Sequence, residues 1–143
     1  MTTSSSSAAP RDRRTVTDDE TRRGGAWVVV VAWFIPGGGH LVQGQVGRGL
    51  VFFCTLALMF ALGCGFSGRI FPFQLSDPLI FLAALAQWGL GLPRLLAAMF
   101  GWGAGTVTAT TYEYGNTFLI TSGLLNTLVL LDAYDVAMGR RSR

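Results

Sequence analysis

Lysine is missing altogether from these 143 residues, histidine occurs once, as His40, and cysteine twice, as Cys54 and Cys64. Acids are nearly missing from the interior, where Asp77 alone stands between Glu20 and Glu113. Each scarcity excludes something. One histidine and two cysteines do not make a four-ligand zinc site. The cysteines are ten residues apart in one apolar run. On a helix that separation is about 15 Å of rise, whereas a disulfide requires Cα atoms within roughly 7 Å. An internal bridge is therefore excluded, and both read as small buried hydrophobes. Charged residues make up 13% of the chain, against roughly 25% in an average soluble domain. A chain this poor in charge cannot clothe a globule in water.

What is present is apolar. Half of the residues are hydrophobic, and the mean hydropathy is +0.45. That composition predicts an all-α polytopic membrane bundle, with the lipid bilayer as its first partner. The net charge of +3 comes from eleven arginines gathered mainly toward the chain ends. Such a distribution orients a membrane protein and is not the basic face that nucleic acid requires.

Residues 1–24 are rich in Ser, Thr and mixed charge, with five arginines and four acids that nearly cancel. This composition predicts a disordered cytoplasmic tail. No small-x-small cleavage site follows the first apolar run, so the chain reads as lacking a cleaved signal. Four hydrophobic segments follow, at about 25–43, 49–65, 79–101 and 117–138, within a domain over 25–139. Residues 140–143 form a basic end, and Gly139 is placed to cap the last helix. The segment 66–78 and the polar, β-branched stretch 103–116 read as loops. With four spans both termini share one face, and the arginine count assigns that face to the cytoplasm of a cell (inner) membrane.

Two segments are interrupted. The first carries Pro36, Gly37, Gly38 and Gly39 before His40. Proline removes a backbone donor and glycine removes side-chain restraint, so a hinge is expected here. It is either one kinked span or a re-entrant half-span. Gly44 and Gly47 shape the turn that follows. The spacing Gly39-x-x-x-x-Gly44 matches half of a phosphate loop, but Gln45-Val46 stands where Lys and Ser or Thr are required. In the third segment Pro93-Arg94 leaves two readings open, a single kinked helix over 79–101 or a span ending near Leu92 followed by an interfacial helix.

The polar candidates are few. His40 is a structural or interfacial imidazole, or else a ligand or proton carrier. Arg94 snorkels to a headgroup or pairs with an acid inside. Asn126, near the centre of the last span, suits an interhelical hydrogen-bond clamp. Asp132 and Asp135 lie one helical turn apart, as helix-end charges at the cytoplasmic surface, as partners of Arg94 or of Arg140 and Arg141, or as an acidic pair in a transport path. Gly101-x-x-x-Gly105 fits a small-residue packing motif. No catalytic, metal or cofactor constellation appears.

Pro36-Gly37-Gly38-Gly39-His40-Leu41, Gln43-Gly44 and Gly47-Arg48-Gly49 together resemble the P-G-x-G-H hairpin of small bacterial multi-pass proteins, and more distantly the two-transmembrane-domain family. Tyr112-Glu113-Tyr114-Gly115, Ser122-Gly123-Leu124-Leu125-Asn126 and Leu131-Asp132-Ala133-Tyr134-Asp135 look like the C-terminal part of an uncharacterised bacterial membrane family, a domain of unknown function. The resemblance implies a multi-pass topology and no catalytic residue. The expected function is a non-enzymatic scaffold or regulator, bound to another membrane protein or to its own copies. The alternatives are a small oligomeric transporter or channel, favoured if Arg94, Asn126 and Asp132 converge, and a lipid-acting enzyme, which needs His40 close to Glu113.

Overall fold

The computed structural model describes residues 12–139, and the expected tail at 1–11 and the basic end at 140–143 lie outside them. Six helices follow one another, α1 (Asp12–Phe34), α2 (Gly38–Val42), α3 (Val46–Gly65), α4 (Pro78–Trp88), α5 (Leu92–Met99) and α6 (Tyr112–Ala137). Among the described residues there is no strand, only an isolated bridge between Arg69 and Ala104.

Two helices, α3 and α6, are each long and apolar enough to cross a membrane. Only 17% of the apolar window of α3 is buried. A water-facing helix of that composition would hide a whole stripe. The core is built from small residues such as Ala32, Ala84, Ala97 and Ala133, while Leu58, Leu79, Leu82 and Leu128 stand outward. Small side chains inside and large ones outside is how helices pack when lipid is the medium. Cys54 follows the same rule and is exposed, so the buried role expected for it is corrected, while Cys64 is half-buried.

The other two expected spans are broken. In the first, Pro36 disfavours helix at the residue before it, and α1 stops at Phe34. Gly37 then adopts φ +75°, where a side chain would strike the backbone of Gly49 and Phe53. The chain turns back on itself. A Cβ on Gly39 would lie 2.9 Å from Ala32 and 3.3 Å from Val28, eleven residues upstream. In a continuous helix that upstream separation is about 16 Å. Segment 25–43 is therefore a hairpin.

The third segment breaks more sharply. Asp77 caps α4, accepting from Leu79 N and Ile80 N at 3.0 and 3.4 Å, and Pro78 sits in its first turn. The helix ends at Gly89, Gly91 takes φ +56°, and α5 departs at 112°. The chain then returns to the loop that it left, with Ile70 N donating to Gly103 O at 2.8 Å beside the Arg69–Ala104 bridge. The single kinked helix over 79–101 is corrected to a second hairpin. Counted as one broken span it would bring the candidates to three, short of the four expected.

Smaller corrections follow from tertiary contact. Residues 12–24, expected as disordered tail, continue α1 toward its N-terminus; between 12 and 23 no proline or glycine interrupts the helix. Gly47 was expected to shape a turn but lies in the first turn of α3, with nothing near its missing Cβ. Gly44, with φ +77°, makes the turn itself. Residues 112–116 were read as loop and are helical. Gly115 packs on Gly68, and the Asn116 carboxamide oxygen accepts from Arg69 N at 2.8 Å. Gly101 and Gly105 both have positive φ outside any helix, so the small-residue helix motif does not apply there. Gly139 ends α6 with φ +69°, as expected.

Candidate functional site

The tips of the two hairpins meet beside Asn126. This residue lies 14 positions after Tyr112 and 11 before Ala137, so it sits near the middle of a helix about 39 Å long. It is fully buried, and its amide nitrogen donates to Gly89 O at 2.7 Å and, more weakly, to Ala32 O at 3.4 Å. These carbonyls belong to the last turn of α1 and the end of α4, where a broken helix leaves acceptors without an intrahelical partner. Two facing carbonyls require a donor, which fixes the amide orientation. The expected interhelical clamp is present, and it ties two helix ends to a third helix.

The seam is dense. The Trp33 indole donates to Trp88 O at 3.1 Å, and the two rings are 5.9 Å apart. Any side chain on Gly91 would collide with Trp33 O, and one on Gly123 would collide with Ala86 O. Only glycine permits these backbones to touch.

Arg94 is 8% exposed and neither snorkels nor pairs with an acid. Its Nη2 donates to Phe71 O at 2.9 Å, and the guanidinium lies 4.9 Å over the Trp88 ring and 5.6 Å over Phe73. That reading is corrected: the cation is held by a carbonyl and two ring faces. Gln87, unremarked in the sequence, works beside it. Its amide donates to Arg69 O and accepts from Phe71 N, both at 2.9 Å, fastening the 69–71 strand of backbone to α4. A lone amide in the apolar run 79–92 was the available signal. Gln43 was missed too; it donates to Gly39 O at 3.0 Å and Ala133 O at 2.8 Å, and so ties α2 to α6.

His40 is fully buried in α2, and its Nε2 lies 3.5 Å from Asp132 Oδ2 on α6. The Phe52 ring of α3 is 5.3 Å away. Asp132 and Asp135 border an open groove of about 440 Å³ together with Phe52, Leu128 and Val129. A structural or interfacial imidazole was one expectation, and the fold encloses the ring. The expected pairing of Asp132 or Asp135 with Arg140 and Arg141 lies outside the described residues.

Arg94, Asn126 and Asp132 do not converge. Asn126 holds the hairpin tips, Arg94 faces the 71–73 loop, and Asp132 faces His40. His40 and Glu113 are not brought together either. Glu113 lies in the first turn of α6, and Asp132, beside His40, follows 19 residues later, roughly 28 Å along the helix. Among the described residues no three His, Cys, Asp or Glu side chains are grouped to hold a metal ion.

Neither curated proteins nor solved structures provide a match to this chain. A family model covers residues 27–142, from within α1 through both hairpins and all of α6. The chain thus belongs to the Family of unknown function (DUF6677), a domain of unknown function.

Proposed function

We propose that this chain is an integral membrane protein that crosses the bilayer twice, through α3 and α6. The α1–α2 and α4–α5 hairpins enter to half depth from opposite faces and meet near the mid-plane. In hydrocarbon every backbone polar group needs a partner, and irregular backbone is tolerated only against protein. The Asn126 bonds to Gly89 O and Ala32 O meet that demand. Two crossings keep both termini on one face. That face then carries the five tail arginines, Arg48 and the three C-terminal arginines, nine in all, against Arg69 and the enclosed Arg94. The positive-inside rule makes it the cytoplasmic face.

Within the membrane the chain acts as a non-enzymatic scaffold or regulator of another membrane component. One observation carries this reading: the enclosed side chains of Gln87, Arg94 and Asn126 bind the protein's own backbone, and large apolar side chains face outward. Capture from native membranes in mild detergent tests it. A stoichiometric membrane partner supports the scaffold, and a self-oligomer alone overturns it. Transport is the second reading, because discontinuous helices meeting at mid-depth are also the architecture of transporters. Solute flux in liposomes holding only this chain would establish it. Thiol labelling of single cysteines on a cysteine-free background tests the topology: the exposed positions 46 and 75 should label from opposite faces, and 75 and 107 from the same face.

A further inference from the structure

We propose that His40 and Asp132 form a proton-binding site that sets how tightly the α2 hairpin is held against α6. This goes beyond the scaffold reading and does not depend on it.

The imidazole is fully enclosed, and neither Nδ1 nor Nε2 makes a hydrogen bond within the protein. Buried polar groups are nearly always bonded, so an exception asks for an explanation. The acceptor facing Nε2 is Asp132 Oδ2, at 3.5 Å just beyond bonding range. Protonation changes this contact in kind. A neutral ring offers one N–H and leaves the other nitrogen bare in a dry site. An imidazolium opposite a carboxylate gains a charge-assisted bond that draws the two together. The proton comes from solvent by way of Asp132, whose side chain is 27% exposed on the groove, and it returns the same way.

The groups packed against His40 from α1 and α3 are apolar. On α6, Asp135 lies one turn beyond Asp132 and borders the same groove. From α3 the group facing His40 is Phe52, while Arg48 on that helix bonds Gln45. From α1 the residues against α2 are Val28, Val31 and Ala32, and no titratable residue occurs between Arg23 and Phe34. The backbone leading into His40 is able to respond, because Gly37, Gly38 and Gly39 carry no side chains. The parallel clamp, Gln43 to Ala133 O, does not titrate. It holds α2 in place in both proton states, so the proton changes the grip of the hairpin without releasing it.

The single histidine gives a direct test. The full chain, without a histidine tag, is labelled with ¹⁵N-histidine and placed in lipid nanodiscs. Between pH 8 and pH 5, where an imidazole changes charge, the two ring nitrogens should pass from the unequal pattern of a neutral tautomer to the matched pattern of an imidazolium. Amide exchange over 37–45, corrected for its intrinsic pH dependence, should slow by about tenfold over the same range, the weight of one charge-assisted hydrogen bond. Asp132→Asn and His40→Gln should each abolish that slowing. A ring signal unchanged from pH 8 to pH 5 overturns the proposal. So does the same slowing in both variants, or in Asp132→Asn alone should His40→Gln fail to fold.

Discussion

Truncating Asn126 to alanine removes both donors that hold the hairpin tips. The bond to Gly89 O is short, at 2.7 Å, and counts in full, whereas the 3.4 Å contact with Ala32 O counts for less. Hydrogen bonds between transmembrane helices contribute around 0.6 kcal/mol on average and at most about 1.7. Taken together, the two are therefore expected to contribute about 1 kcal/mol. The site is fully buried, so the truncation also leaves a void, which costs about 1 kcal/mol more. The sum is about 2 kcal/mol, or roughly thirtyfold in the unfolding equilibrium. Ser122→Ala is the control, one turn away on α6 and equally buried. Its hydroxyl donates to Leu119 O of its own helix at 2.9 Å. Such back-bonding adds little to a helix, so its removal should change stability by less than about 0.5 kcal/mol. Reversible unfolding in mixed micelles, monitored by circular dichroism, compares the two. If both variants unfold alike, Asn126 is not the clamp that joins the hairpins, and the argument for a shared mid-depth junction fails with it.

Other substitutions test other contacts. Gly91→Ala combines a strained φ with collision on Trp33 O, and Gly123→Ala meets the Ala86 backbone. Both should lose folded yield in size-exclusion profiles. Gly47→Ala should instead gain about 0.5–1 kcal/mol, because its Cβ meets nothing and alanine is the better helix former; unchanged or lower stability would refute this. Arg94→Lys keeps the charge and loses the planar stack on Trp88. A loss of about 1 kcal/mol is expected, and full stability would reduce Arg94 to a point charge. Asp77→Ala should cost about 1 kcal/mol through the lost helix cap, read in the same unfolding assay.

Much of the fold was legible because hydrophobicity is written locally. The run over 49–65 is uninterrupted and became α3, with its start earlier by three residues. The Pro-Gly cluster at 36–39 announced a break, since those residues restrict or free the backbone wherever they occur. The second break was harder to read. Gly89 and Gly91 look like glycines scattered in a helix, and only the packing of Gly89 on Gly123 and of Gly91 on Trp33 shows why both are needed. The role of Asn126 as a clamp could be inferred from a lone amide in an apolar span. Its partners could not, because Ala32 and Gly89 contribute only backbone carbonyls, which every residue possesses.

Composition alone determined the helical class and the apolar medium, because half of the residues are hydrophobic and charge is scarce between Glu20 and Glu113. The tertiary structure decided which apolar segments run through and which turn back, because a bend becomes a hairpin only when another helix supplies partners for the freed carbonyls. It also decided what His40 faces. Asp132 is 92 residues away in the chain, and only the return of α2 along α1 and α6 sets the two side by side.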